Sequence, residues 1–283
     1  MNSVSRYRFR RIRQTMVGFA DGWNQIGVQT AFYATTVRSI GDAVARYRAE
    51  TLRLIASMSL GSGALAVIGG TLVIVGFLTL SAGALVAVQG YTLLTGIGTE
   101  ALTGFVSAYL NVRIIAPLVS GIGMAATIGA GATAQMGAMR INEEIDALEV
   151  MGIRSIAYLA STRLLAGVLV VGPLYAVGVL MAFLAARFGT TYIYGQSTGV
   201  YDHYFYTFLN PTDLLWSFFS AIMMAIVVML VHTYYGFTAT GGPAGVGEAV
   251  GRAVRTSLIA VVLVTLMISL SVYGQAGTFH LSG

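Results

Sequence analysis

The sequence contains no cysteine and no lysine, and charged residues make up only 10% of its 283 residues. The absence of cysteine excludes disulfide bonds and thiolate chemistry, and it leaves the redox compartment open. The absence of lysine excludes a G-x-x-x-x-G-K-[ST] phosphate loop and Schiff-base catalysis. Any ATP used by a complex containing this protein would therefore be bound by another chain.

The shortage of charge accompanies an excess of apolar residues. Hydrophobic residues make up 56% of the chain and the mean hydropathy is +0.78. Soluble domains carry about 25% charged residues, well above the fraction here. The composition therefore indicates a membrane protein with several spans.

Long runs without a charged residue give the predicted spans, at 54–99, 114–139, 164–186, 214–247 and 256–283. The first run is long enough for one span plus an outer segment, or for two spans. One span there places 14 arginines inside and two outside, whereas two spans change the division to 11 and 5. The positive-inside rule therefore favours five spans, with the N-terminus inside and the C-terminus outside.

The N-terminal part of the chain is predicted to lie at the membrane surface rather than to cross it. Residues 1–60 are predicted to form a basic N-terminal segment and an interfacial helix, and 61–283 a five-span domain. RYRFRRIR at 6–13 is followed by no compact apolar segment with a cleavage site, so no signal peptide is expected. A disordered basic tail at 1–15 is the alternative.

The aromatic stretch 192–208 is typical of a membrane–water interface, and a binding surface is the alternative there.

A third of the acidic residues fall within seven positions. At helical spacing, an apolar stripe forms on one side and the acids lie on the remaining face. Asn142 is the expected N-cap and Gly152 the expected C-terminal stop. The segment is interpreted as a short cytoplasmic helix that docks a partner, and a solvated loop helix is the alternative. The acids are Glu143, Glu144, Asp146 and Glu149, and the stripe is Ile141, Ile145 and Leu148.

This segment also carries a resemblance to a known family. RINEEIDALEVMGI at 140–153 resembles the coupling-helix signature of the MlaE/YrbE permeases, the transmembrane subunits of MCE-associated lipid ABC transporters. Other stretches resemble the family in the same order along the chain, and the similarity covers residues 50–275. They are VQGY at 88–91, GTEALTGFVSAYLNVRIIAP at 98–117, AQMGAMR at 134–140 and GGPAGVGEAVGRAVRTS at 241–257.

The resemblance implies an all-α integral membrane fold in the plasma (inner) membrane, with an N-terminal interfacial helix and five spans. It implies a dimer of permeases, a cytosolic ABC ATPase and outer-face MCE proteins that form a lipid tunnel. The cargo would be a fatty acid, mycolic acid or sterol-like lipid. The coupling helix, about 141–152, would contact the ATPase and be flanked by Arg140. The implied contact residues are Glu143, Glu144, Asp146, Leu148 and Glu149.

The chain departs from the family where members carry ionisable residues. Family members commonly read R-E-L-G-P, and this chain has RIIAP at 113–117. Thr127, Gln135 and Thr265 stand where an arginine, a glutamate and an aspartate are common. Ionisable groups at membrane depth are usually functional, so their loss suggests a diverged paralogue. The pattern resembles the paired YrbE permeases of actinobacterial Mce operons, of the B type, and implies a heterodimer.

The chain is expected to perform no chemistry and to need no cofactor or metal of its own. Gly195–Gly199 matches G-x-S-x-G, but an outer loop does not supply the strand and helix of a nucleophile elbow. The histidines at 203, 232 and 280 lack metal-ligand spacing.

Two charges on the outer side, Glu100 and Arg113, are expected to pair or to contact outer partners. Two other functions stay open at this point. One is a transporter that needs no ATPase, although such proteins usually keep ionisable groups near the midplane. The other is a passive membrane anchor for an outer assembly.

Overall fold

The computed structural model describes residue 24, residues 26–60 and residues 70–274. The basic segment at 1–23 and the last part of the predicted fifth span, 275–283, lie outside the described residues. Within the described part the chain is helical and has no β-strand. It begins with three helices on the arginine-rich side of the protein. They are α1 at 26–38, α2 at Ile40–Arg46 and α3 at Arg48–Leu60.

Five of the helices that follow are long and apolar enough to cross a membrane. The prediction of five spans is confirmed, and the described part of the first apolar run contains one of them. The long helices are α4 (Thr71–Thr95), α5 (Glu100–Ile141), α7 (Ile156–Ile193), α9 (Pro211–Phe237) and α10 (Gly242–Tyr273). Two short helices lie between them, α6 (Glu144–Val150) and α8 (Thr198–Phe208).

The predicted boundary between the last two spans is wrong. The charge-free run 214–247 is divided, because α9 ends at Phe237 and α10 begins at Gly242. Glu248, Arg252 and Arg255 therefore lie inside a continuous helix. At 1.5 Å per residue this helix of 32 residues is about 48 Å long, which exceeds a hydrocarbon core of about 30 Å. Its charged first turns can project into water on the cytoplasmic side.

Helix α5 is interrupted by two π-helical turns, at Asn111–Ile115 and Ala125–Gly129. A π-turn disturbs the regular i to i−4 hydrogen-bond ladder of the helix backbone. At the first of these turns the hydroxyl of Ser217 in α9 donates to the carbonyl oxygen of Val112, at 2.5 Å. The irregular backbone is thus satisfied by a neighbouring helix, as a membrane interior requires.

The main apolar core lies between α4, α5, α7, α9 and α10, and includes Val75, Met124, Leu174 and Met224. A second cluster lies at the arginine-rich end. There, α1 packs against the ends of α5, α7 and α9 through Phe32, Met136, Leu159 and Tyr234. The ring centroids of Phe32 and Tyr234 are 5.6 Å apart with the rings edge to face. This second cluster is the support on which α6 rests.

Candidate partner-docking helix and the polar sites around it

The acidic segment folds as the short helix α6, but its first turn differs from the prediction. Asn142 ends the preceding helix, with φ of −89°, and is not an N-cap. Glu143 instead lies between the helices with φ of 60°, in the left-handed region. The expectation failed because α5 continues to Ile141 and uses Asn142 as its own C-cap.

The end of α6 is as predicted. Gly152 has φ of 76°, where an L side chain is strained. Its N–H donates to Glu149 O, and the N–H of Ile153 donates to Leu148 O, both at 3.0 Å. This pair of bonds is a Schellman motif, which satisfies the last carbonyls of the helix.

The apolar stripe of α6 faces the protein. Ile145 is fully buried in the second cluster and Leu148 is half-buried against it. The stripe therefore fastens α6 to the second cluster, which side chains of α1, α5, α7 and α9 form. Leu148, which the resemblance assigned to the ATPase contact, has part of its surface taken by these internal neighbours.

The four acids divide into two pairs. Asp146 accepts a hydrogen bond from Arg140 Nη1 at 2.6 Å, and Glu149 accepts one from Ser155 Oγ at 2.6 Å. Glu143 and Glu144 are exposed, and within the described residues neither has an ion-pair partner. Serine is neutral, so the charge of Glu149 is not neutralised either. Glu143 and Glu144 differ from the other two acids because, within the described residues, their carboxylates have neither an ion pair nor a side-chain hydrogen bond.

Two exposed apolar side chains accompany these carboxylates. Val150 is 90% exposed and Met151 is 66% exposed. We call Glu143, Glu144, Val150 and Met151 the docking face. Carboxylates beside apolar side chains suit a partner that supplies basic groups around an apolar contact.

The outer-side charges do not pair with each other. Arg113 Nη2 lies 2.8 Å from Asp213 Oδ2, and its guanidinium lies 4.1 Å from the centroid of the Tyr109 ring. The backbone carbonyl of Glu100 accepts a hydrogen bond from Gln196. Asp213, in the first turn of α9, was not singled out from the sequence because it is 100 residues from Arg113.

Helix α8 is held against the outer ends of the spans by a second ion pair. Arg187 and Asp202 form two hydrogen bonds, both 2.8 Å long. Hydrogen bonding to Arg187 holds the pKa of Asp202 below its usual value. The Tyr201 hydroxyl also donates to Ser107 Oγ at 2.8 Å, so the aromatic stretch is partly structural.

His232 joins three helices in the arginine-rich half of the protein. Its Nδ1 lies 2.8 Å from Thr133 Oγ1 in α5, and its Nε2 lies 3.1 Å from Ser257 Oγ in α10. The ring is fully buried, and Gly129 leaves the space that it occupies. Sequence spacing gave no sign of this network, since its members are 99 and 25 residues apart.

A cavity of about 270 Å³ lies between the end of α3, the start of α4 and the second half of α5. Thr127 and Gln135 both line this cavity. They are two of the positions at which the chain departs from the family pattern. The cavity also receives Ser57, Thr71 and Gly131.

Comparison with protein families decides what kind of protein this is. The family model described as Permease MlaE matches residues 61–271, about three quarters of the chain. The chain belongs to the MlaE permease family. With its long apolar helices, this membership makes it a multi-pass membrane protein.

Curated MlaE-like relatives are distant but numerous. The chain is 26% identical over 183 residues to the chloroplastic protein TRIGALACTOSYLDIACYLGLYCEROL 1 of Arabidopsis thaliana, a match covering 65% of this chain and 52% of that protein. It is 25% identical over 179 residues to a probable ABC transporter permease protein of Synechocystis, covering 63% and 68%. A probable ABC transporter permease protein of Rickettsia bellii is 25% identical over 157 residues, covering 56% and 61%. The chain thus spans about half to two thirds of these relatives.

Proposed function

We propose that this chain is the membrane-embedded permease subunit of an ATP-driven lipid transporter, whose ATP site lies on a separate cytosolic ABC ATPase. The word permease in the names of several relatives supports the class of protein. The lipid named in the Arabidopsis relative supports a lipid cargo. The lack of lysine supports an ATP site on another chain, because the phosphate loop requires that residue.

The observation that carries the proposal is the docking face. Glu143 and Glu144 stand exposed on the arginine-rich side, beside Val150 and Met151, on a helix anchored by the buried Ile145. An ATPase that grips this face moves α6. Because Ile145 belongs to a packed cluster with side chains of α1, α5, α7 and α9, that movement is passed to three spans and to the inner helix.

The remaining partners follow from the same proposal. The transporter contains a second, paralogous permease of the family, and MCE proteins on the outer face continue the lipid path. The chain resides in the plasma membrane and carries no cofactor. The cargo is a fatty acid, mycolic acid or sterol-like lipid, for which the apolar spans provide a compatible surface.

Charge reversal of the docking face tests the proposal. The double variant Glu143→Arg/Glu144→Arg should lose the ABC ATPase in a mild-detergent pull-down from native membranes, with the co-purifying chains quantified by mass spectrometry. We expect at least about a tenfold loss, because juxtaposed like charges cost several kcal/mol at an interface. Membrane insertion should be unchanged, since both side chains are exposed.

Glu248→Arg is the matched control, since Glu248 is also an exposed acid on the cytoplasmic side and contacts only Arg252 of its own helix, at 3.6 Å. It should retain the ATPase. Undiminished co-purification of the ATPase with the double variant would contradict docking at α6. If the wild-type chain purified with no ATPase, a transporter independent of ATP or a passive anchor would replace this proposal.

A further inference from the structure

The cavity between α3, α4 and α5 lies at a depth where polar groups are costly. Gln135 is five residues from Arg140 at the cytoplasmic end of α5, and Thr127 is 13 residues from it. At 1.5 Å per residue the cavity extends from about 7 to about 20 Å inside that end. Most of this range falls in the inner half of the hydrocarbon core, where unsatisfied polar groups cost several kcal/mol each.

Two of the hydroxyls that line the cavity, those of Ser57 and Thr127, have already used their hydrogens. Ser57 Oγ donates to Leu54 O at 3.0 Å, and Thr127 Oγ1 donates to Gly123 O at 2.7 Å. Each oxygen therefore faces a ligand as an acceptor only. The amide of Gln135 adds another acceptor together with two donors. A ligand that fits these groups has to donate hydrogen bonds as well as accept them.

No charged side chain lines the cavity among the described residues. The segment that follows α3 in the sequence, GSGALAVIG at 61–69, contains no charged residue. The closest arginine along α3, Arg53, is bound by Glu50 through hydrogen bonds of 2.9 and 2.8 Å. A phosphate or carboxylate entering the cavity would therefore lose water without gaining a counter-ion, which is strongly unfavourable.

We propose that this cavity binds the headgroup of an uncharged, hydroxyl-bearing lipid such as a glycerol monoester. The proposal rests on the proposed lipid-transport function. Of the cargoes given there it favours an uncharged, hydroxyl-bearing lipid, as a sterol-like alcohol is, over a fatty or mycolic acid, which carries a carboxylate. The two hydroxyls of a glycerol monoester donate to two of the three acceptors in the cavity, and a lipid oxygen accepts from the Gln135 amide. The acceptors are Ser57 Oγ, Thr127 Oγ1 and the Gln135 carbonyl oxygen.

The size of the cavity agrees with a headgroup rather than a whole lipid. Sites that enclose drug-sized ligands have volumes of about 300–1,000 Å³, and this cavity has about 270 Å³. Ser57 and Gln135 are exposed, so the cavity opens to the surface of the spans. The acyl chain then lies in the bilayer, against the apolar outside of the helices.

Photoaffinity labelling with lipids that share one tail tests this assignment. The purified full-length chain is placed in phosphatidylcholine nanodiscs with equal mole fractions of diazirine-bearing glycerol mono-oleate, oleate or lysophosphatidylglycerol. The diazirine occupies the same position near the headgroup in each. We expect glycerol mono-oleate to label peptides at 54–58 and 127–135 at least about tenfold more than either anionic lipid.

Two variants and a control test whether the labelling comes from a lipid bound in the cavity. A Cβ at Gly131 would meet nothing within 4 Å, so Gly131→Leu fills the cavity without disturbing its walls and should abolish the labelling. Gly251→Leu is the control, because Gly251 is another helical glycine with open space and does not line the cavity, so this variant should label as wild type. Gln135→Arg supplies a counter-ion and should raise labelling by lysophosphatidylglycerol.

Equal labelling by the three lipids, or undiminished labelling of Gly131→Leu, would overturn the assignment. If the Gly131→Leu protein were not monodisperse, the Gln135→Arg variant would decide, since an unchanged lipid preference there also overturns it. The experiment contains no ATPase. Its failure is therefore distinct from a failed ATPase pull-down, which would remove the proposed function and leave the lipid result standing.

Discussion

At the scale of the residue, Glu143 has the least favourable backbone of the non-glycine residues that the structure describes. Its φ of 60° is the left-handed conformation, which costs an L residue roughly 1–2 kcal/mol. Glycine or asparagine would adopt it more easily. Strained residues of this kind concentrate at functional sites, and Glu143 lies on the docking face.

Replacing Glu143 by glycine removes both its backbone strain and its carboxylate. The effect on stability and the effect on ATPase docking can then be measured separately. Glu143→Gly should stabilise the fold by up to about 1 kcal/mol, because glycine tolerates a positive φ. The same variant should weaken ATPase co-purification, because one carboxylate of the docking face is removed. Thermal unfolding of the purified chain and the pull-down described above measure the two effects.

Glu144→Gly is the matched variant, since Glu144 is exposed like Glu143 but is the first residue of the α-helical segment. Glycine within a helix is unfavourable by about 1 kcal/mol relative to a good helix former, so this variant should be less stable than wild type. Equal stability changes of the same sign in both variants would show that the φ of Glu143 carries no strain.

The hydrogen-bond and ion-pair partners of single residues were the hardest feature to predict from the sequence. The acid cluster and its glycine stop could be predicted because spacing along one helix determines them. Arg113–Asp213 was not, because the partners lie on different helices and only the packed fold brings them within 2.8 Å. The N-cap was misassigned because Asn142 satisfies the end of one helix just before the next begins.

At the scale of the element, close contact between α4 and α7 depends on a missing side chain. A Cβ on Gly83 would lie 2.3 Å from the carbonyl oxygen of Ala182, a backbone atom that cannot turn away. Small residues at such crossings let helix backbones approach, and this approach holds spans together in a membrane. Gly76, two turns earlier on α4, would meet Val177 and Met181 at ordinary contact distances.

These two glycines give a paired prediction. Gly83→Ala should destabilise the protein by about 1–3 kcal/mol, because α4 and α7 must move apart. Gly76→Ala should be neutral or slightly stabilising, because alanine favours helix and the space accommodates a methyl group. Thermal unfolding in detergent checks both, and a Gly83→Ala protein as stable as Gly76→Ala would contradict the close approach.

The sequence predicted the number of membrane-spanning helices better than it predicted where each helix begins and ends. Apolar runs identified every described span because the bilayer requires about 20 apolar residues in each. Their ends were misjudged because a helix can continue past the bilayer with its charges in water, as α10 does at Glu248 and Arg252. The polar network of His232 and the cavity beside Thr127 require the relative positions of several helices, which periodicity does not contain.

At the scale of the whole molecule, the structure places α6 and α8 at opposite ends of the spans. Helix α6 follows the inner end of α5, and α8 follows the outer end of α7. By the positive-inside rule, the concentration of arginine at the α6 end predicts that this end is cytoplasmic. The orientation can be tested directly, because the chain contains no cysteine of its own.

Single cysteines at the two ends should react from opposite sides. Tyr206→Cys, at a residue 70% exposed in α8, should be labelled by a membrane-impermeant maleimide in intact spheroplasts. Val150→Cys, at a residue 90% exposed at the end of α6, should be labelled only after permeabilisation. Labelling of the Val150→Cys protein in intact spheroplasts would invert the orientation and place the docking face away from any cytosolic ATPase.

Polar connections near both ends of the contact between α5 and α9 limit how the molecule can move. Arg113–Asp213 fastens the outer ends of these helices, and Thr133–His232 fastens them 20 residues further along α5, a distance of about 30 Å. Two helices joined at two well-separated points cannot rotate or change their crossing angle relative to each other. Helices α5 and α9 therefore move as one rigid unit, and α10 is joined to it through the contact of Ser257 with His232. Any opening wide enough for a lipid must lie between this unit and a neighbouring helix.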